Sequence, residues 1–320
     1  MPPLRKTVTT SIAPNLCTGC GACVRVCPSG TISLRDGKAA VTGSESMQCG
    51  HCAAVCPTGA VSVAAIEPTP GFETFTGATE WLPHGQPDLG GLVRLMASRR
   101  SCRNYLDRPV PVPLLRDLAR IAATAPSGTN SQGWTFTLVP NRASVVRLGN
   151  AIADFFERIN RLAANPILRG LDSVFRSGAL ARYHRDHQAA IERGLSQWRE
   201  HGVDRLFHEA PALILVGGFD WASCPADDAL LATQNLLLAA HAAGLGTCLI
   251  GFAVEAIRHA PRLRLDLSLR PGETIHAVVA LGYPAERYAR VSTRRPVEIR
   301  AYAPPAGCPE PQAGCFSPRT

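Results

Sequence analysis

The sequence predicts an α+β chain built in two parts, and three observations carry that prediction. Seven of the twelve cysteines fall within the first 68 residues, in short segments punctuated by Gly and Pro. Inside that stretch CVRVCPSGTISL recurs as CAAVCPTGAVSV, the mark of a duplicated small unit. After about residue 92, helical and strand patterns mix without a regular βαβ alternation, which favours α+β over a doubly wound sheet. The expected division is 1–68 for the cysteine-rich domain, 69–91 for a linker, 92–305 for the larger domain and 306–320 for a disordered tail.

In the first part, Cys17, Cys20, Cys23 and Cys27 before Pro28 spell C-x2-C-x2-C-x3-C-P. In this run three thiolates bind one [4Fe–4S] cluster and the fourth serves a partner cluster. A zinc site would instead show two separated C-x2-C pairs. The second run is Cys49, Cys52 and Cys56 before Pro57, and its missing leading cysteine registers on Ser46. Crossed ligation then predicts a complete first cluster on Cys17, Cys20, Cys23 and Cys56. The second keeps Cys27, Cys49 and Cys52, with Ser46 or a neighbour as fourth ligand. A serine oxygen is harder and more basic than a thiolate. The second site is therefore expected as a serine-ligated [4Fe–4S], a [3Fe–4S] or a labile cluster that still holds iron and sulfide.

Residues 67–91 turn rich in Pro, Gly and Thr without periodicity, the composition of a linker or wrapping segment. Leu114, Leu115, Leu118, Ile121 and Ala122 then stand at helical spacing, ending at Pro126, and WTFTLV at 134–139 reads as a strand. Helical patterning fills 151–208, with many Arg, His and Tyr residues, and PALILVG at 211–217 reads as a buried strand. DDALLATQNLLLAAHAAG is a helix apolar nearly all round, with Asp as N-cap and Gly244 at its C-terminal end, so it belongs in a core or a subunit interface. TIHAVVALGY at 274–283 closes the set as an internal strand.

The bulk properties bound the function. With 320 residues and 46% hydrophobic content the chain buries a substantial core. No apolar run is long enough to span a membrane and no secretory signal is seen, so a cytoplasmic location is expected. The formal charge is +8, nearly all of it arginine, with lysine only at 6 and 38. No nucleic-acid-binding motif accompanies that charge, so nucleic acid is not expected as a partner. Neither a G-x-G-x-x-G turn after a strand nor a Walker A lysine is present.

Residues 12–65 resemble the bacterial two-cluster ferredoxin, apart from Ser46. Further on, RRSCRNY at 99–105, PSGTNSQGW at 126–134, GLGTCLIG at 244–251 and STRRP at 292–296 follow the order seen in nitroreductase-like flavoproteins. Gly133 stands where that family commonly has Pro, and Ser292 where it often has a basic residue. Together the resemblances imply a ferredoxin-like iron–sulfur domain followed by a nitroreductase-like α+β domain, acting as a homodimer with FMN at the subunit interface. They imply that Arg99, Arg100, Ser101, Arg103 and Arg294 hold the phosphate and ribityl end of the FMN. Pro126, Ser127, Gly128 and Asn130 would line the isoalloxazine edge, and the backbone at Ile250 and Gly251 would approach flavin N5. Always-charged, planar guanidinium forks suit a phosphate dianion on chemical grounds alone.

The expected function is an FMN oxidoreductase passing electrons between iron–sulfur clusters and an electron-poor organic substrate: a nitroaromatic, a quinone, an activated alkene or a halogenated aromatic. The electron donor is expected to be an external protein or NAD(P)H. The alternative is a non-catalytic electron-transfer or redox-sensing protein, which Ser46 would favour. Cys102, Cys224 and Cys248 read as buried small hydrophobes. His184, His187, Trp198 and His201 fall in a segment that would cover the substrate, as an exposed polar helix face, and no catalytic side chain stands out. Cys308 and Cys315 in the tail have no assigned role.

Overall fold

A computed structural model describes residues 7–66, 71–77, 80–175 and 178–302 of the chain. The predicted tail, with Cys308 and Cys315, lies outside the described residues.

The first unit holds two small two-stranded sheets and two short helices. In chain order it runs β1 (Thr10–Ile12), α1 (Ala22–Arg25), β2 (Ile32–Arg35), β3 (Lys38–Val41), α2 (His51–Ala54) and β4 (Val61–Val63). β1 pairs antiparallel with β4, and β2 with β3. The sequence repeat is a structural repeat. Gly21 and Gly50 precede α1 and α2 with φ of 69° and 75°, a left-handed conformation that glycine adopts without steric cost. Each helix then carries one buried cysteine, Cys23 or Cys52, into the interior.

The second part begins with α3 (Leu89–Ser98) and α4 (Val112–Ala122), followed by β5 (Trp134–Val139) and the 23-residue α5 (Arg142–Ala164). The helices α6 (Pro166–Phe175), α7 (Ala179–Asp186) and α8 (Gln188–His201) follow, then β6 (Ala212–Phe219) and α9 (Pro225–Ala242). The chain continues through β7 (Gly246–Leu249), α10 (Gly251–His259), α11 (Pro261–Asp266) and β8 (Glu273–Gly282). The strands form one antiparallel sheet in the order β5-β6-β8-β7.

That sheet is covered on both faces, which explains the unbroken apolar run of β6. Leu213 and Leu215 face a core built with α5 and α10, whereas Ala212, Ile214 and Val216 face a core built with α4 and α9. The α9 sequence resolves in the same way. Ala229, Ala232, Leu236 and Ala240 enter the core, while Leu230 and Leu231 stay about half exposed, an apolar face open to a further partner. One detail of its start differs from expectation: Asp227 and Asp228 lie inside the first turn, where they favourably oppose the helix dipole, and Cys224 occupies the N-cap.

Part of the expected linker is tied down. Asp117, fully buried on α4, accepts hydrogen bonds from the Glu73 and Thr74 amides at 2.7–3.0 Å and from the Thr74 hydroxyl at 2.7 Å. Arg120 completes its partners at 3.0 Å, and Phe72 stacks on Phe75 at 4.4 Å. Burial alone would raise the Asp117 carboxyl, but these donors outweigh it and hold it below the ordinary carboxylate value. The clamp is therefore fully present above the unfolded value of about 3.9 and is lost as pH falls through the lower folded value. Asp117→Ala orphans several donors at once and is expected to cost about 3 kcal/mol, measured by denaturant unfolding, with faster proteolysis at 71–77.

Candidate functional site

The thiols of the small unit gather around two small cavities. Cys17, Cys20, Cys23 and Cys56 line one. Cys27, Cys49 and Cys52 line the other, with Ser46 on its wall. Among the described residues no three His, Cys, Asp or Glu side chains converge tightly enough for a single ion. Thiols spread around a cavity suit the corners of a cubane instead.

Backbone amides point at the sulfurs in the repeat's own symmetry. Thr31 N–H donates to Cys27 Sγ at 3.3 Å and Ala60 N–H to Cys56 Sγ at 3.2 Å, each four residues on; Ala39 N–H donates to Cys17 Sγ at 3.4 Å. The Ala39 amide leads the effects that lower the Cys17 thiol. For Cys27 and Cys56 burial works upward, and the hydrogen bonds from Thr31 and Thr58 with neighbouring amides outweigh it. Cys23 and Cys52, deeper inside, are pushed up by burial. The donor set thus fits anionic clusters.

The second cavity has a less uniform wall. Ser46 Oγ accepts the Gln48 amide at 3.0 Å, closing a tight turn that puts Gln48 at φ 53°. His51, which the sequence reading did not single out, also lines this cavity, at the position that Ala22 holds in the first.

In the larger domain the arginine segment lies along the outer edge of the sheet. Ser101 forms a parallel bridge to Thr247 of β7, and Cys102 N–H donates to the Thr247 carbonyl at 2.8 Å. Tyr105 fastens the segment, its hydroxyl 2.8 Å from the Cys102 carbonyl and 3.2 Å from that of Ala280 on β8. Burial, then the charges of Arg294 and Arg100, press the Arg99 guanidinium below its ordinary value. Arg103 hydrogen-bonds the Cys248 thiol, and Arg99 also feels that thiol. Among the described residues none of Arg99, Arg100, Arg103 and Arg294 has a carboxylate partner. Guanidiniums placed together without a counter-charge are chemically suited to an anion such as a phosphate.

β7 leads from this segment directly to Ile250 and Gly251. Ile250 is buried and its amide is engaged by Val278 at 2.9 Å, whereas the space that a Gly251 side chain would enter is open. Gly251 begins α10, so its amide belongs to the first-turn donors without an intrahelical acceptor.

The 126–132 loop sits elsewhere, before β5 at the opposite edge of the sheet. It contains left-handed residues at Thr129, Asn130 and Gln132, with φ of 50°, 53° and 51°. Buried Asp228 on α9 holds it in place, accepting Gly128 N–H at 2.8 Å and the Ser131 hydroxyl at 3.2 Å, while Trp134 Nε1–H donates to the Asp228 carbonyl at 3.1 Å. Gly128 is small because Ser223 Cβ and Cys224 Sγ would stand 3.0 and 3.2 Å from an added Cβ. Ser127 Oγ accepts the Gln132 amide at 3.1 Å. Within one chain the structure therefore joins the arginines to Gly251 but does not join either to Pro126, Ser127, Gly128 and Asn130.

Of the three extra cysteines, Cys102 and Cys248 are buried as expected, but Cys224 is exposed because it caps α9 at the surface. His184, His187 and His201 are exposed. Trp198 instead folds against Gly149, where an added Cβ would meet its ring at 2.6 Å, and its Nε1–H donates to Asn150 at 2.8 Å.

An antiparallel sheet between two helical layers, with an arginine cluster at its edge and a thiol-lined unit attached, is the arrangement of an α+β redox protein. The nitroreductase family model matches residues 96–283, and a 4Fe-4S dicluster domain matches residues 16–60. The chain belongs to the nitroreductase family and is an oxidoreductase with an N-terminal ferredoxin domain. It is 31% identical to a protein named NADH dehydrogenase from Thermus thermophilus, over 62% of this chain and 89% of that one. It is 26% identical to the chloronitrobenzene nitroreductase of Comamonas testosteroni, over 62% of this chain and 87% of that one. A solved nitroreductase with bound FMN from Bacteroides fragilis covers 65% of this chain and 98% of its own, at 22% identity and a TM-score of 0.44. Among the described residues no helix is long and apolar enough to cross a membrane.

Proposed function

We propose that the chain is an FMN-dependent oxidoreductase of the cytoplasm that exchanges single electrons through its clusters and reduces an electron-poor organic substrate. One observation carries this reading: an arginine cluster without a carboxylate partner among the described residues is bridged to β7, the strand that leads to Gly251, on the same chain as two cavities lined by thiols. Bound FMN supplies the conversion between one-electron and two-electron chemistry. Arg99, Arg100, Arg103 and Arg294, with Ser101, bind its phosphate and ribityl end, and the Gly251 amide offers a donor at the reacting edge. Asp228 positions the 126–132 loop that closes over the ring.

The two halves of this site lie on opposite sheet edges, three strand spacings or about 14 Å apart. A second copy brings its own loop to the arginine edge, so a homodimer with FMN at the interface completes the pocket. The open apolar face of α9 at Leu230 and Leu231 is a natural part of that interface. The names of the relatives point to nitroaromatics among the substrate classes and to NADH among the donors.

The test is the visible spectrum and FMN content of anaerobically purified protein, followed by turnover of nitro and quinone acceptors by chemically reduced enzyme. A chain isolated without flavin, or one inert toward a broad acceptor panel, would sink the proposal. NADH and a reduced one-electron carrier protein are compared as donors in the same assay.

The second cluster has its own expected result. Anaerobic analysis should find about seven or eight irons per chain, and about four would mean that the second cavity holds no cluster. Ser46→Cys is expected to raise the second cluster's reduction potential, because a softer thiolate replaces a harder and more basic oxygen. A redox titration followed by paramagnetic resonance reads the shift.

A further inference from the structure

The two parts of the chain touch at a chemically specific point. Asn130 Nδ2 donates to the Met47 carbonyl at 3.1 Å and to the Gln48 carbonyl at 3.0 Å. Met47 and Gln48 lie between Ser46 and Cys49 and form part of the wall of the second cavity. Asn130 belongs to the loop assigned above to the flavin edge. Its left-handed backbone, φ 53°, is a conformation that Asn tolerates better than most side chains. Gln132 Nε2–H donates to Asn130 Oδ1 at 2.9 Å, which fixes the amide so that its NH2 faces the two carbonyls. No such link reaches the first cavity among the described residues.

We propose that Asn130 is a positioning residue that clamps the wall of the second cluster onto the flavin loop, making that cluster the one that exchanges electrons with the flavin. The first cluster is then the outer port. Electron tunnelling falls off exponentially with distance, so the order is set by which cavity is docked. Each reduced cluster gives up one electron. Two such transfers, with two protons from solvent, reduce one FMN, and the electrons come from an external one-electron carrier that recharges the first cluster. The arrangement gives the unusual ligand set at Ser46 a purpose: it tunes the potential of the cluster nearest the flavin. This inference rests on the proposed flavin site.

The test uses the anaerobically purified holoprotein and three variants. Asn130→Asp keeps shape and backbone preference but turns lone pairs toward the two carbonyls. Cys49→Ala removes the second cluster alone, verified by about four remaining irons with the paramagnetic signal of the first. Cys20→Ala combined with Cys49→Ala gives the background rate of direct flavin reduction by the carrier, reduced methyl viologen. In Cys49→Ala, flavin reduction is expected to fall to that background although the first cluster is still reduced. In Asn130→Asp, hydrogen exchange at the 46–50 amides should rise, and flavin reduction above background should slow by about tenfold or more, the weight of two lost hydrogen bonds. The proposal is overturned if Cys49→Ala reduces its flavin at the wild-type rate. It is also overturned if Asn130→Asp raises exchange without slowing reduction while FMN and iron stay intact. Wild-type protein without FMN would instead defeat the flavin site itself.

Discussion

Replacing Arg99 and Arg294 together with alanine is expected to weaken FMN binding by about a thousandfold while leaving the apoprotein as stable as before or slightly more so. The first half follows from the strength of charge-assisted hydrogen bonds, about 1.5–3 kcal/mol each, so that two lost contacts multiply to two to four orders of magnitude. The second half follows from the sign of the electrostatics. Burial, then the charges of Arg294 and Arg100, lower the Arg99 value. Removing two of the charges relieves the repulsion in the empty site. A purely structural arginine behaves in the opposite way: its loss destabilises the fold and leaves ligand affinity alone. Equilibrium dialysis against FMN and thermal unfolding of the apoprotein, read side by side, separate the two. An undiminished flavin affinity in the double variant would remove the phosphate site from this edge of the sheet. Arg116→Ala, on an exposed face where Arg116 meets Glu73 at 3.6 Å, is the matched control and should change neither quantity appreciably.

How much of this was legible in the sequence depends on how local each signal is. The cysteine ladders are read from spacing alone, and the crossing of Cys27 and Cys56 between the two cavities follows from the duplicated unit. β6 and β8 are legible because a sheet covered on both faces leaves long apolar runs, and β5 because of its aromatic and β-branched residues. Contacts between distant positions were not. Asp117 meets Glu73 and Thr74 across more than forty positions, Asp228 meets Gly128 across a hundred, and Asn130 meets Met47 across 83. A lone Asp or Asn carries no periodicity, so nothing local separates a buried clamp from a solvated surface residue. The DD pair at Asp227 and Asp228 does carry a signal, which in the sequence reads as an N-cap. Its second member became a buried ligand for the loop because the first helical turn starts earlier, at Pro225. Exposure of Cys224 has the same origin, since that earlier start leaves it outside the core.

Removing iron from the small unit is expected to unfold residues 7–66 while the larger domain stays native. The buried hydrophobic cluster of this unit is Cys23, Ile32, Cys52, Val61 and Val63, so two of its five members are themselves predicted cluster ligands. The aliphatic side chains that remain make a small core for a unit of about 60 residues. Units of this size fold with a metal or another staple, and here binding free energy at the clusters is folding free energy. The larger domain has no such dependence, because two cores on opposite faces of one sheet include fully buried Leu115, Leu118, Ile152, Leu213, Ile214 and Leu236. Region-resolved hydrogen exchange before and after oxidative cluster removal with a chelator should show protection lost across 7–66 and kept in β5, β6 and β8. Persistent protection of 7–66 in iron-free protein would show that the unit folds on its own packing. The same experiment separates docking from folding. If the clamp at Asn130 needs a folded second cavity, the 126–132 loop also loses protection when iron leaves, and the flavin edge senses the state of the clusters through the Asn130 side chain.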